Sequence, residues 1–464
     1  MQDTILAIDI GSTRLKAGLL DPSGQLLALA VQPSPLDAAQ IEPTQVLASV
    51  AALGQQVCQG KRPGAIAVTG ATRTTVLADS AGQPIGPAIA LADGRGAEHA
   101  QTLQTAYRAS SDLGLGAFHP LARVLDVRQR EPRRFQQLHR VLDLKDWINL
   151  QLTAVAQTDS VALARIAPAD GDIGAVLARL GLPADLLGGS AQPGSLIATV
   201  GAAAPAAWQW CRGVPVVQCG FDAWCASYGM GAVQAGSVYN VCGTTDVFGG
   251  FVSAPVARQG IACLPWGQGL WHLGGPCLTG LSTLAWFGRQ FLGNPDPAAV
   301  LACAATAGQD CPLALPFVHG ERMPFWRPDL RAQWIGVHAG HGVPEFARAL
   351  IDGLLLFQHW LIRQLDARPQ ALYLGGGGST LVGWAVAKAS AFDLPVRIPQ
   401  DEEPALRGAA MCALTARRRH ASLAQSQAAL RPAYREVAPE AALQKRMRAL
   451  EPRLWPQFDA LQAA

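Results

Sequence analysis

Residues 5–21 read ILAIDIGSTRLKAGLLD, and this stretch decides the fold. ILAIDI (5–10) is apolar and rich in β-branched side chains, so it reads as a buried strand. GSTR (11–14) is a polar break long enough only for a turn. LKAGLLD (15–21) is a second strand. DPSG (21–24) is a turn with Pro second and Gly fourth, and LLALAV (26–31) is a third strand. The same grammar returns at mid-chain. SVYNV (237–241), CGTTD (242–246) and VFGGFV (247–252) repeat strand, polar break and strand, and a Pro-containing turn leads to GIACLPW (260–266). The likeness is one of pattern, not identity. It implies two lobes on one plan, each opening with three strands whose first turn carries Gly, Ser and Thr.

Small residues crowd GMGAVQAGS (229–237), which places the lobe boundary at about 235 and divides the chain into 1–235 and 236–464. EFARALIDGLLLFQHWLIRQL (345–365) has apolar positions every three or four residues and predicts a long helix. The last forty residues, rich in Ala, Arg and Gln, predict peripheral helices. With 464 residues, half of them hydrophobic and 15% charged, the chain can bury large cores. Its 37 basic residues nearly balance 34 acidic ones, which gives no electrostatic footprint for nucleic acid. Arg417, Arg418 and Arg419 read as a solvated helix end. The ten cysteines form no CxxC pair; even Cys211, Cys219 and Cys225 read as small buried hydrophobes in a reducing compartment. No secretory signal pattern precedes ILAIDI and no apolar run is long enough to span a bilayer, so a cytoplasmic protein without membrane contact is expected.

Four segments carry chemistry. In AIDIGSTRLKAG (7–18) a strand ends near Asp9, and Gly11, Ser12 and Thr13 turn the chain so that N–H and hydroxyl donors can face an anion. Lys16 could reach a phosphate as a point charge. An ordinary hairpin would look the same, and no Walker A sequence is present. CGTTD (242–246) has the same two readings. Two such turns, each opening a lobe, can hold the β- and γ-phosphates of a nucleotide from both sides. In VPVVQCGFDAWCASYGMG (214–231) Asp222 stands at the mouth of a helix. A carboxylate there either caps the helix or orients and deprotonates an attacking hydroxyl. In ALYLGGGGSTLVGW (371–384) a strand runs into four glycines and then a helix, a context that lets a flat adenine and its ribose lie on bare backbone.

The order of these segments resembles the FGGY carbohydrate kinases, a family that includes xylulokinase, ribulokinase, gluconokinase and glycerol kinase. The resemblance runs from Leu6 to about Ala416. It takes in AGQPIGPAIALADGR (81–95), LDLKDWINLQLT (142–153), HGERMPFWRPDLRAQWIGV (319–337) and DEEPALRGAAMCA (401–413). It implies an α/β fold of two ribonuclease-H-like, actin-like ATPase lobes with a cleft between them. It implies Mg-ATP as phosphoryl donor and a small sugar or polyol as acceptor, with a homodimer left open. Position by position, it makes Asp222 the proton acceptor and Asp9 its catalytic partner. Asp9, which also contacts the sugar, and Asp222 together are the metal-side carboxylates. Ser12, Thr13 and Lys16 match the first phosphate turn, with Ser12 also near the sugar. Gly243, Thr244 and Thr245 match the second phosphate turn. Gly280 matches a glycine beside the nucleotide, and Gly376, Gly377 and Ser379 match the adenosine loop.

Three departures bear on the substrate. Xylulokinases carry GQMHG where this chain has Gly70, Ala71, Thr72, Arg73 and Thr74, so Thr72 and Arg73 replace a Met–His pair of the sugar pocket. Leu91 and Ala92 stand in for a Trp–Asn pair, although Asp93, Gly94 and Arg95 remain. CGTTD ends in an acid, Asp246, where many members have a small or apolar residue. Thr72, Arg73, Asp93 and Ser12 are therefore the expected sugar contacts. The expected substrate is a ketopentose of the xylulose or ribulose kind, then another ketose or polyol, then a sugar acid. Arg73 either contacts that ligand or pairs with a protein carboxylate such as Asp93. An actin-like ATPase that drives a conformational change, and a catalytically silent sugar sensor, are the alternatives from other classes. Asp222 and the HGER segment argue against the first, and retention of Asp9 and both phosphate turns argues against the second.

Overall fold

A computed structural model describes residues 3–36, 40–91, 93–108, 115–168, 171–365, 368–400 and 403–463. Ala92 and the Asp401–Glu402 pair at the head of the last motif lie outside the described residues. The chain divides into two compact units, Met1–Gly231 with Glu403–Arg431, and Ala232–Glu402 with Pro432–Ala464. The crossover falls beside the small-residue stretch at 229–237. Residues 403–431, which the sequence analysis kept in the second half, cluster with the first.

The first unit is built on a six-stranded sheet. Strand Ile5–Ile10 pairs antiparallel with Arg14–Leu20, which pairs with Leu26–Pro33. On its other side Ile5–Ile10 pairs parallel with Ala65–Gly70, followed by Pro215–Gln218 and Leu196–Thr199. Ile5–Ile10 is buried along its whole length, as its near-continuous apolar run requires of a central strand. The DPSG turn closes as expected: Asp21 Oδ1 accepts from the N–H groups of Ser23 at 2.8 Å and Gln25 at 2.9 Å, and Gly24 takes φ +83°. Helix Pro43–Cys58 covers the sheet with Val46, Leu47, Val50, Leu53 and Val57.

The second unit repeats the plan on seven strands. Val238–Cys242 pairs antiparallel with Asp246–Val252, then Leu270–Cys277 and Ala262–Gly267 follow. Its other neighbour is parallel, Leu372–Gly375, then come Val396–Pro399 and Tyr434–Val437. The long amphipathic stretch forms helix Val343–Gln364 and supplies much of the core through Leu350, Leu354, Phe357 and Leu361. The tail is not purely helical. It adds the edge strand Tyr434–Val437 before helix Ala441–Ala463, which packs Met447, Leu454 and Phe458 into this core. All ten cysteines are free thiols, and Cys263, Cys303 and Cys311 are only half-buried, which corrects the expectation of uniformly buried thiols. Among the described residues no helix is long and apolar enough to cross a membrane.

Candidate active site

In the first unit Asp9 lies next to the end of the central strand, where that strand meets its hairpin turn. The Gly11 N–H donates to the Arg14 carbonyl at 3.1 Å, and a Cβ at Gly11 would stand 2.9 Å from that oxygen, so the tight turn needs glycine. The turn leaves Ser12 and Thr13 exposed. Lys16 is not free: its ammonium donates to Glu403, which arrives from the segment that rejoins this unit. Asp9 is 7% exposed, and its Oδ1 has no hydrogen-bond partner. Burial first, then the Asp222 charge, push its carboxyl up to about 8, against the opposing charge of Lys16.

Asp222 opens helix Asp222–Gly229, where a carboxylate suits the positive end of the helix dipole. Its Oδ1 accepts from the Ala223 N–H at 2.7 Å. Burial raises its carboxyl, with the Ala223 N–H and Arg165 working the other way. The loop that carries it is pinned by buried donors. Thr69 Oγ1 donates to the Gly220 carbonyl at 2.8 Å, and Lys145 Nζ donates to the Cys219 carbonyl at 3.1 Å. Lys145 is itself held by Asp146 at 2.7 Å and Asp159 at 2.8 Å, all three side chains fully enclosed. Burial works against its charge, but the two carboxylates outweigh it and hold the ammonium above its ordinary range. Gln218 Nε2 closes the group by donating to Asp146 Oδ1 at 2.9 Å.

The helix of Asp222 lies directly on helix Pro404–Ala416. A Cβ at Gly229 would fall 1.8 Å from the Pro404 carbonyl oxygen, and one at Gly408 would fall 1.9 Å from that of Cys225. Glycine at both places lets the backbones touch. This explains the small-residue run GAAMCA in physical terms: it is the seat of the helix that begins with Asp222. Lys145, Thr69 and Gly408 were not singled out by sequence reasoning. LDLKDW and RGAAMCA marked their neighbourhoods, but a buried lysine under the Asp222 loop leaves no periodic signal.

Thr72 and Arg73 line a cavity of this unit together with Thr75, Asp143, Thr158 and Arg165. Asp93 belongs to a different contact. Its carboxylate takes Arg95 Nε at 3.0 Å and Nη2 at 2.7 Å and also the Arg95 N–H at 2.9 Å. Burial would raise the Asp93 carboxyl, but the Arg95 contacts outweigh it and hold it below its ordinary range. The pairing of Arg73 with Asp93 that the sequence left open is therefore not formed.

In the second unit, the turn Gly243–Thr245 exposes both threonine side chains. Asp246 shapes it from beneath. Fully buried, it accepts from the Gly243 N–H at 3.3 Å, Asn240 Nδ2 at 3.2 Å and Gln358 Nε2 at 2.9 Å, and Lys388 Nζ lies 3.6 Å away. The acid that departs from the family's usual residue is thus an internal support with its own buried counter-charge. The N–H groups of Leu281 and Ser282 donate to the carbonyls of Gly243 and Thr244 at 3.1 and 3.0 Å. Gly280 allows that approach, because a Cβ there would sit 3.0 Å from both Thr244 O and Asp246 Oδ1. Glu321 of the HGER segment fixes the preceding strand end, accepting from the N–H groups of Leu278 at 2.6 Å and Thr279 at 3.2 Å.

The four glycines are not equivalent. Gly376 has φ +81°, and a Cβ on it would lie 2.4 Å from the Cys242 carbonyl oxygen. Gly378 packs on the Cys242 thiol, whereas a Cβ on Gly377 would meet nothing within 4 Å. Ser379 Oγ donates to the Gly376 carbonyl at 2.7 Å and so braces the loop from within. Gly377 is the exposed, open position.

The donor set fits a hard divalent cation. Asp9 offers an unpartnered carboxylate oxygen, raised in proton affinity by burial and by the neighbouring Asp222 charge, and such a pair gains from Mg²⁺ or its waters.

Residues 4–229 match the N-terminal domain, and residues 238–417 the C-terminal domain, of the FGGY family of carbohydrate kinases. The xylulose kinase of Escherichia coli (strain K12) is 29% identical over 445 residues, covering 89% of this chain and 90% of the relative. The L-fuculokinase of the same organism is 26% identical over 443 residues, covering 88% and 92%. Among solved structures, that of ligand-bound xylulose kinase from Lactobacillus acidophilus superposes with a TM-score of 0.86 at 20% identity, covering 99% of each chain. With both domains of the family matched across most of its length, this chain belongs to the FGGY family of carbohydrate kinases and is a sugar kinase.

Proposed function

We propose that the protein transfers the γ-phosphoryl group of ATP to a hydroxyl of a small sugar, with Asp222 as the general base. The observation that carries this is the placement of Asp222. Its carboxylate starts a helix, on a loop fixed by Thr69 and Lys145, beside the unpartnered carboxylate of Asp9. A base that must meet a hydroxyl at hydrogen-bond range gains from such rigidity. Burial raises its proton affinity, which suits a group that takes a proton late in phosphoryl transfer.

In this account the first unit holds the sugar and the base. The second holds the nucleotide, with the Gly243–Thr245 turn at the phosphates and the loop from Gly376 to Ser379 at the adenosine. Ser12 and Thr13 of the first unit offer exposed hydroxyls suited to a phosphate. Lys16, paired with Glu403, sets the charge around Asp9. Mg²⁺, held through Asp9 and its neighbour Asp222, would neutralise charge on the transferred group. Asp222 orients the acceptor hydroxyl and receives its proton as the new P–O bond forms. The ketopentose expectation rests on likeness to xylulose kinases, and relatives named for other sugars leave that choice to the pocket.

A coupled ADP-release assay over ketoses, polyols and sugar acids tests the activity. Release that depends on one of these acceptors supports it. ATP hydrolysis indifferent to every sugar would instead favour an actin-like ATPase.

A further inference from the structure

Arg73 is held in a backbone conformation that a side-chain-bearing residue seldom adopts, φ +60°. Two neighbours fix it there. Asp143 Oδ1 accepts the Arg73 N–H at 3.0 Å, and the guanidinium of Arg123 donates to the Arg73 carbonyl. Arg123 is fully buried; its Nη1 also donates to Thr75 Oγ1, and its Nη2 to the carbonyls of Ala90, Leu91 and Asp93. Such a conformation persists where the surroundings over-determine it.

Here Arg73 lines the cavity described above. Among the described residues the Arg73 guanidinium has no hydrogen-bond or ion-pair partner. Asp143 spends one carboxylate oxygen on the backbone of Arg73, and Asp93 is engaged by Arg95. The lining holds two guanidiniums, Arg73 and Arg165, and one carboxylate, Asp143. Burial first, then the Arg165 charge, pull the Arg73 guanidinium down to about 10, against the opposing Asp143 carboxylate. A half-buried cation in that position gains most from an anion delivered by the ligand. Arg165 extends the lining toward the base: its guanidinium lies 4.5 Å from the ring centre of Phe221, the residue before Asp222.

We propose that this cavity takes the carboxylate of a sugar acid, an aldonate or uronate of five or six carbons, and that Arg73 binds it. The proposal rests on the kinase reading above and narrows its substrate. A carboxylate presents two coplanar oxygens that match the guanidinium fork. The hydroxyls of Thr72, Thr75 and Thr158 on the same lining suit the polyol chain. A neutral ketopentose would leave the Arg73 charge facing only the Asp143 carboxylate.

The test is ADP release by the full chain with matched panels: ketopentoses and polyols, aldonates and uronates, and sugar phosphates. Wild type, Arg73→Gln and Arg73→Lys are compared, with thermal melts to verify folding. An aldonate or uronate should exceed every neutral sugar in kcat/KM. Arg73→Gln should lower that value on the order of 100-fold, mostly through KM, and Arg73→Lys should restore part of it. Titration of the preferred acid into the wild-type protein should show affinity falling with added salt, whether or not the variants fold. A neutral sugar preferred by wild type, with its ranking unchanged in Arg73→Gln, overturns the proposal and leaves the kinase activity standing. Preference for a sugar phosphate overturns the choice of carboxylate. ADP release that is the same with and without every acceptor overturns the kinase reading and the proposal with it.

Discussion

The ammonium of Lys145 donates to the carbonyl oxygen of Cys219 at 3.1 Å, three residues before Asp222. A buried cation thus anchors the end of strand Pro215–Gln218 at the point where the chain turns into the helix that Asp222 begins. Lys145→Met should leave Asp146 and Asp159 as buried charges without their cation. The expected loss is about 3–5 kcal/mol, read as a lower denaturation midpoint in urea. Turnover should fall together with it. A variant with an unchanged midpoint would show that the network does not hold the loop.

Gly408 offers a test of the helix seat. Gly408→Val places branched carbon where the Cys225 carbonyl oxygen stands, 1.9 Å from the glycine's ideal Cβ position. Helix Asp222–Gly229 must then move, at a cost of roughly 1–3 kcal/mol for overpacking. The prediction is a marked drop in kcat in protein that still melts cooperatively. Wild-type kcat in Gly408→Val would show that Asp222 tolerates displacement of its helix.

The glycine loop separates fold from binding. Gly376→Ala meets both φ +81° and a backbone oxygen 2.4 Å away, so it should lower the melting temperature. Gly377→Val meets no protein atom within 4 Å, so stability should hold while affinity for an ATP analogue falls about tenfold or more. Calorimetric titration and thermal melts of the two variants decide this. Equal nucleotide affinity in Gly377→Val and wild type removes the adenosine loop from its place.

Asp9 has a stability cost with a definite pH signature. Its carboxyl is raised from 3.8 to about 8 by burial and the neighbouring Asp222, so the folded protein holds a proton that the unfolded chain releases. That contribution is fully present below the unfolded value and is lost as pH rises from about 4 to about 8. Nucleotide-free wild type should therefore lose more melting temperature between pH 6 and pH 8.5 than Asp9→Asn, whose amide does not titrate. Parallel pH profiles for the two proteins would contradict the burial of that charge.

The sequence carried the strand-turn-strand openings of both units because a buried strand, a polar turn and a second strand each leave a local pattern. Ile5–Ile10 and Val238–Cys242 stand where ILAIDI and SVYNV placed them. Asp222 at a helix start was legible for the same reason. The return of Glu403–Arg431 to the first unit was not, because the contact of Gly408 with Cys225 joins residues far apart in the chain. The part Lys145 plays was hidden because, beyond the adjacent Asp146, its partners Asp159 and the Cys219 carbonyl lie far away in sequence. The Asp93–Arg95 pair lay within one quoted triplet, yet which charge answers Arg73 is a matter of geometry that no spacing encodes.

The most direct test of the central claim is the turnover of Asp222→Asn with its best acceptor. The amide keeps the size of the carboxylate and its hydrogen bond from the Ala223 N–H, but it cannot take the proton of the attacking hydroxyl. A fall in kcat of about two to four orders of magnitude, with smaller changes in acceptor KM, is the result this account predicts. Turnover within a few-fold of wild type would contradict it, and the base would have to be sought elsewhere.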